Sequence, residues 1–251
     1  MEENKTISMK IRLLFLFFIF ISKNVFSQQY KFNYYVRSKI ENTSIKYIQV
    51  EDNFLNSNEK SYFAKINDAY EKGFREITVF DYKREVIHFF RIKNTDNIFE
   101  SKNYAYYYSA YLIIDNTERD KLSKLIYRQN DISSDSGVKK VTIEKYKKAA
   151  SQKPQLTITA EMKRSKGDLR NLAIMFLMST PLPYINFEAQ DNTYISHADM
   201  KINKADITLD SEIQEEGNLE LVVHPDEIKL PKEKPGPVKD TIENILKGIK
   251  K

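Results

Sequence analysis

Few side chains in this sequence have the type and spacing that chemistry requires. There is no cysteine, and the three histidines, His88, His197 and His224, are far apart in the chain. Metal ligands on a single element are normally paired at helical or hairpin spacing. Only His197 with Asp199, and His224 with Asp226, could place two ligands on one face of a strand. We therefore predict no metal site and interpret the histidines as ordinary sheet or surface residues.

The sequence lacks the usual motifs of nucleophilic catalysis and of nucleotide chemistry. The sequence contains no G-x-S-x-G elbow, G-x-G-x-x-G loop or Walker motif, and its six glycines leave little material for a phosphate loop. Paired carboxylates read as solvated turn charges, although a carboxylate-based hydrolase stays open as an alternative. We predict a protein that is not an enzyme, with no catalytic residue and no cofactor. The paired carboxylates are Asp115 with Glu118, Glu215 with Glu216 and Asp226 with Glu227.

Aromatic residues offer a binding surface instead. Tyr104, Tyr106 and Tyr108 alternate along one segment, and tyrosine combines an apolar ring with a polar tip, which suits a ligand platform or an interface. Aromatic residues also stabilise sheets through ordinary cross-strand pairs, so a purely structural role stays open. We predict that these three tyrosines, together with Met175 and Phe176, bind a ligand.

The elements that must position these residues are mainly strands. Apolar and polar residues alternate with period two, which is typical of half-buried strands. Most connections are short and polar, and such connections join antiparallel neighbours. We predict a mainly β (α+β) fold with one large, twisted antiparallel sheet, whether open or curved into a half-barrel. The candidate strands are residues 30–40, 44–51, 60–67, 76–82, 85–93, 104–114, 121–128, 138–147, 155–163, 200–202, 205–209 and 219–223, with an acidic turn at 214–218.

One segment near residues 168–179 predicts a helix. Asp168 is a plausible N-cap, every residue from Leu172 to Met178 is apolar, and Pro181 follows. A helix that is apolar on every side must be buried. We predict that it packs on one face of the sheet.

The two ends of the chain read as separate segments. Lys10 and Arg12 precede nine apolar residues at 13–21, and residues 25–27 close the segment, which is the pattern of a cleavable signal peptide over residues 1–27. Residues 231–239 hold three prolines and read as an extended linker. Residues 240–251 predict a short amphipathic helix. The predicted exported domain is therefore 28–230.

The short, Phe-rich leader, which ends in Phe26-Ser27-Gln28-Gln29, resembles leaders of exported proteins of the Bacteroidota. The body is rich in Lys, Asn, Tyr and Ile, and it is similar to uncharacterised secreted β-rich proteins of that group. The resemblance implies a Gram-negative cell envelope and carries no activity.

Composition narrows the function classes further. The formal net charge is +5, and charged residues of both signs are spread along the chain, whereas nucleic-acid binders concentrate their basic residues, so we predict no nucleic-acid partner. We predict an exported protein, periplasmic or extracellular, that has no membrane segment after cleavage. It would hold a hydrophobic, lipid-like ligand between sheet and helix. The alternative is a structural or interaction protein of the envelope, whose C-terminal helix binds an envelope partner.

Overall fold

A computed structural model describes residues 27–68, 75–93, 97–202, 205–228 and 230. Almost all of the predicted signal peptide, the predicted linker and the predicted C-terminal helix lie outside the described residues. In the described ranges, no helix is long and apolar enough to cross a membrane.

Within those residues, eleven strands form one antiparallel sheet that is not closed. Consecutive strands pair with each other except β6 and β7, and the first strand also pairs with the last, which places β1 and β11 at the centre and leaves β6 and β7 as the two edges. The predicted mainly β fold is confirmed. The strands are β1 (Gln28–Asn42), β2 (Tyr47–Asn56), β3 (Glu59–Asp68), β4 (Arg75–Asp81), β5 (Val86–Ile92), β6 (Tyr104–Tyr111), β7 (Ile126–Asp135), β8 (Val138–Tyr146), β9 (Leu156–Arg164), β10 (Thr193–Ile202) and β11 (Ala205–Val223).

The core is divided into two hydrophobic clusters, and β1 contributes to both. Tyr30 and Phe32 belong to one cluster, which we call the aromatic cluster, while Tyr34 and Val36 belong to the other, the helix cluster. The residues between them on β1 are exposed or half-buried, as alternation on a strand requires. The aromatic cluster also contains Phe54, Tyr62, Ile77, Phe90, Tyr104 and Leu221.

The second of two α-helices in the described residues fills the helix cluster. The helices are α1 (Asn116–Leu122) and α2 (Arg170–Met178), and a 3-10 turn (Leu182–Tyr184) follows α2. Leu172, Ile174 and Leu177 of α2 are buried against residues of the sheet. Leu169 takes the cap position, although the Asp168 carboxylate still accepts from the backbone N–H of Arg170 at 3.3 Å. The predicted buried helix is therefore confirmed.

The strand predicted over 121–128 is wrong in its first part, because α1 extends to Leu122, residues 123–125 form a connection, and β7 begins only at Ile126. The Asp115 carboxylate accepts from the backbone N–H of Thr117 at 2.6 Å and so caps the first turn of α1. A local cap outweighed the alternating pattern here. The preceding strand also ends earlier than predicted, at Tyr111.

The acidic turn predicted at 214–218 is also wrong, because these residues lie inside β11, a strand of 19 residues. The pairing of β1 with β11 shifts at two places here, between Phe32 and Tyr34 and between Tyr35 and Val36, as β-bulges do. A Cβ on Gly217 would lie 2.5 Å from Cγ of Phe99. The glycine therefore allows close packing and does not make a turn. The strands predicted at 205–209 and 219–223 are parts of one strand.

Candidate functional site

The residues predicted to bind a ligand lie in two different places. Tyr104 is buried in the aromatic cluster, and Tyr106 packs against it. Tyr108 is exposed on the edge strand β6. Met175 and Phe176 are half-buried on α2 and pack against the helix cluster. The structure thus places the tyrosines and the helical pair in separate clusters and does not bring all five around one space.

A buried chain of polar groups runs through the aromatic cluster. Nδ1 of His88 lies 2.6 Å from Oγ of Ser109, and its Nε2 lies 2.8 Å from Oε1 of Gln28. The hydroxyl of Tyr106 lies 2.6 Å from the same Oγ of Ser109. Burial lowers the pKa of His88 to about 4, so that the ring is neutral at physiological pH. Neutral His88 can therefore donate to Gln28 and accept from Ser109 at the same time.

This pair resembles a nucleophile and its base, but its surroundings exclude that use. His88 and Ser109 are both completely buried, so that no substrate can reach the serine hydroxyl. The chain continues through Tyr30, whose hydroxyl lies 2.7 Å from Oε1 of Gln28 and 2.8 Å from Oδ2 of Asp81. Oδ2 of Asp81 in turn accepts from the guanidinium of Arg84 at 2.8 Å. We interpret the chain as a structural network that satisfies polar groups in a buried sheet.

His197 lies on the surface between two carboxylates. Its Nδ1 is 2.7 Å from Oδ1 of Asp210, and its Nε2 is 3.2 Å from Oδ2 of Asp199. The hydrogen bond with Asp210, and then the charge of Asp199, raise the pKa of His197 above its ordinary value. No group of three possible metal ligands occurs among the described residues. The arrangement suits a protonated imidazolium that links β10 to β11.

Replacing Asp210 with asparagine should bring the pKa of His197 back toward its ordinary value, as measured by NMR titration. Because the pKa is raised in the folded state, the ion pair stabilises the fold fully below the unfolded-state pKa of about 6.5. That contribution is lost as the pH rises through the folded-state pKa. An unchanged titration in the Asp210→Asn variant would show that Asp210 does not hold the proton on the ring.

Among the ion pairs of the described residues, the most deeply buried lies at the start of α2. Arg170 is only 1% exposed, and its Nε and Nη2 donate to the two oxygens of the Asp168 carboxylate at 2.9 Å and 2.7 Å. Nη1 donates to Oε1 of Gln129 at 2.7 Å, and Nη2 also donates to the carbonyl of Ala189 at 2.8 Å. The guanidinium lies 4.0 Å from the centre of the Phe187 ring. These contacts join α2, β7 and the segment before β10.

Two polar clefts open beside this ion pair. The larger, of about 690 Å³, is lined by Gln129, Lys139, Arg170 and the segment 187–191. Its lysine is neutralised, because Nζ of Lys139 lies 3.0 Å from Asp131 and 3.3 Å from Asp191. The smaller, of about 360 Å³, we call the Lys60 cleft. Its lining includes Ser57, Asn58, Lys60, Asp168, Asn186 and Gln190.

Lys60 differs from Lys139 in having no partner. It is half-buried, and it forms no hydrogen bond or ion pair with the part of the chain that the structure describes. Burial lowers the pKa of Lys60, and the charge of Arg170 acts in the same direction, while Asp168 opposes both. A cleft that holds a desolvated, unpaired amine is a candidate binding site.

The junction between α2 and the sheet encloses little space. A cavity of about 20 Å³ lies there, with Leu55, Asn171 and Leu172 in its lining. Oδ1 of Asn171 is buried without a hydrogen-bond partner in the described part of the chain. The cavity has room for about one water molecule.

Exposed apolar side chains concentrate at the N-terminal end of β2 and in the turn before it. The turn residue Ile45 and the strand residues Tyr47, Ile48 and Val50 are all strongly exposed, Ile48 by 56%. In the described residues, the pairing of β2 with β3 starts at Asp52, and residues 47–50 pair with β1 on one side and with no described residue on the other. We call residues 45–50 the apolar edge.

In the described residues, the fold and these surfaces define a mainly β protein with an open antiparallel sheet, a buried helix, polar clefts beside the Asp168–Arg170 pair and an apolar edge. Comparison with models of known protein families and with curated proteins finds no match to the chain. Sequence reasoning missed Lys60, Asp168 and Arg170 as parts of one site, because Lys60 is remote in sequence from the other two. A run of uncharged residues at 47–50 was the available signal for the apolar edge.

Proposed function

We propose that the protein is a structural interaction protein, whose copies associate through the apolar edge. The observation that carries this proposal is the exposure of four large apolar side chains, Ile45, Tyr47, Ile48 and Val50, next to a strand edge without a partner in the described residues. Soluble proteins usually protect such edges with charges, prolines or bulges. An unprotected edge with apolar side chains is suited to pairing with another strand.

A second copy of the chain fits this edge in an antiparallel arrangement. If the pairing is centred between Ile48 and Gln49, Tyr47 of one copy lies opposite Val50 of the other. Aromatic residues opposite β-branched residues stabilise antiparallel pairs. No charged residue occurs between Lys46 and Glu51, so that no like charges oppose one another in the paired segment. The same patch on both copies gives a closed, two-fold symmetric dimer.

Export to the cell envelope is part of the proposal. The leader pattern of residues 1–27 supports it, and β1 begins at Gln28, so that cleavage after Ser27 would leave the sheet complete. N-terminal sequencing of the exported protein would show Gln28 as its first residue.

A hydrophobic ligand between sheet and helix receives less support from the geometry. The cavity of about 20 Å³ at this junction is far smaller than an acyl chain, and the residues predicted to bind the ligand fall into two clusters. Such a ligand would require α2 to move away from the sheet, which would expose Leu172, Ile174 and Leu177.

Ile48→Lys should abolish the dimer. The substitution places a charge on each copy at the centre of the pairing, and burying unpaired charges costs more than the apolar contacts contribute. Sedimentation equilibrium from about 5 to 500 μM, which brackets the micromolar affinity typical of a small interface, should give a dimer for the natural chain and a monomer for the variant.

Ile132→Lys is the matched control. Ile132 is an exposed isoleucine on the edge strand β7, 58% exposed against 56% for Ile48, and its substitution should leave the dimer intact. A natural chain that stays monomeric at the highest concentration would refute self-association. Loss of the dimer in the Ile132 variant as well would place the contact elsewhere.

A further inference from the structure

We propose that the Lys60 cleft binds the carboxylate of a small, hydroxyl-rich acid, of the chemical class of the sugar acids. This site lies at the end of β2 opposite the apolar edge, and its ligand is independent of the proposed dimer. Three features of the cleft support the assignment: its uncompensated charge, its neutral polar lining and its dimensions.

The charge of the cleft is positive. Asp168 and Lys60 both line it, but the two oxygens of the Asp168 carboxylate already accept from Arg170 at 2.9 Å and 2.7 Å. At Lys60 the charge of Arg170 opposes that of Asp168, so Asp168 offsets the charge of Lys60 only in part. The ammonium of Lys60 remains without a partner in the described residues, and an anion is the ligand that would compensate it.

The remaining polar groups suit hydroxyl groups. Asn58, Asn186 and Gln190 each carry an amide that can donate and accept, as a sugar hydroxyl also does. Ser57 is held in place, because its backbone N–H donates to Oδ1 of Asn33 at 3.0 Å and its Oγ accepts from Nδ2 of Asn33 at 2.9 Å. The hydroxyl proton of Ser57 has no acceptor among the described residues and is available to a ligand.

Two parts of the cleft wall are held by close contacts, and the volume of the cleft suits a small ligand. A Cβ on Gly167 would lie 2.4 Å from Cβ of Ser57, so that the β2–β3 turn packs directly against the backbone before Asp168. Asp168 itself is held by Arg170. The volume of about 360 Å³ lies within the range of small-molecule sites, about 300–1,000 Å³. A preformed site of this kind needs no large rearrangement to bind.

The test is calorimetric titration of the whole exported chain with D-galacturonate and, in parallel, with D-galactose. The two sugars differ by the carboxylate alone. Galacturonate should bind at least tenfold more tightly than galactose. Lys60→Gln should weaken galacturonate binding at least tenfold, whereas Lys60→Arg, which keeps the charge, should stay within a few-fold of the natural chain. Lys153→Gln, at an exposed lysine of the β8–β9 connection, should have no effect.

Equal affinity for the two sugars would overturn the role of the charge. Galacturonate binding that persists unchanged in Lys60→Gln would place the site elsewhere, and no binding of either sugar at millimolar concentration would overturn the ligand class. The circular dichroism spectrum and melting temperature of Lys60→Gln should match those of the natural chain, which separates loss of binding from loss of folding.

Discussion

Replacing Arg170 with methionine should lower the free energy of unfolding by about 3–5 kcal/mol, the cost of breaking a buried ion pair by removing one partner. The side chain is 1% exposed and donates to Asp168, Gln129 and Ala189, so that the substitution leaves a buried carboxylate without its counter-charge. Methionine keeps most of the volume, and the loss is therefore electrostatic. Urea unfolding followed by circular dichroism measures it.

Arg128→Met provides the matched control. Arg128 also donates to a carboxylate, that of Glu188 at 2.9 Å, and also lies over an aromatic ring, that of Tyr146 at 4.5 Å. Because this pair is exposed to solvent, its loss should cost about 1 kcal/mol or less. The double variant Asp168→Asn/Arg170→Met should be more stable than the sum of the two single changes predicts, since the partners act as a unit. A cost below about 1 kcal/mol for Arg170→Met would mean that solvent reaches Asp168.

Replacing Ile174 with alanine should lower the free energy of unfolding by about 2–5 kcal/mol. Ile174 is completely buried, and it belongs to the helix cluster with Tyr127, Ile143 and Leu209 of the sheet. The substitution leaves a cavity that a close-packed interior fills only in part. Urea denaturation at constant pH measures the change. An unaltered dependence of the unfolding free energy on urea concentration would indicate that the fold is retained.

The same change at Ile132 is the control, since its side chain is 58% exposed and its loss should alter stability by about 0.5 kcal/mol or less. Phe176→Ala should cost less than the same change at a fully buried aromatic residue, because Phe176 is only half-buried where it packs against the helix cluster. If Ile174→Ala behaved like Ile132→Ala, α2 would be peripheral, and the description of the sheet as packed around it would fail.

Local patterns determined much of the architecture. Alternating residues such as Tyr30, Phe32, Tyr34 and Val36 predict a strand with one buried face, and the structure has β1 there. The apolar run from Leu172 to Met178 predicts a buried helix, and the structure has α2 there. These predictions succeeded because burial selects side chains at the period of the element itself, and that period can be read within a dozen residues. The leader and the tail remain predictions, since they lie outside the described residues.

Predictions from local patterns failed where a single contact determined the local backbone conformation. At Asp115 a side-chain cap begins α1 in a predicted connection, and the helix then runs into the first two residues of the strand predicted over 121–128. At Gly217 the absence of a Cβ allows the ring of Phe99 to pack closely, although the sequence predicted a turn at this glycine. Both outcomes depend on one or two atoms, and hydrophobic periodicity averages over many residues.

Only the tertiary structure decided which distant residues meet. The pairing of β1 with β11 joins the two halves of the sheet, and the same folding brings Lys60 of β3 to Asp168 and Arg170 at the start of α2. It also separates Tyr104 from Phe176, which the sequence had suggested as partners in one site. The period of a strand reports which face is buried but carries no information on the neighbour that covers it. The neighbour that covers a buried face is determined by strand register, by bulges and by the packing of side chains far apart in the chain. All of these conditions must be satisfied together in the folded structure.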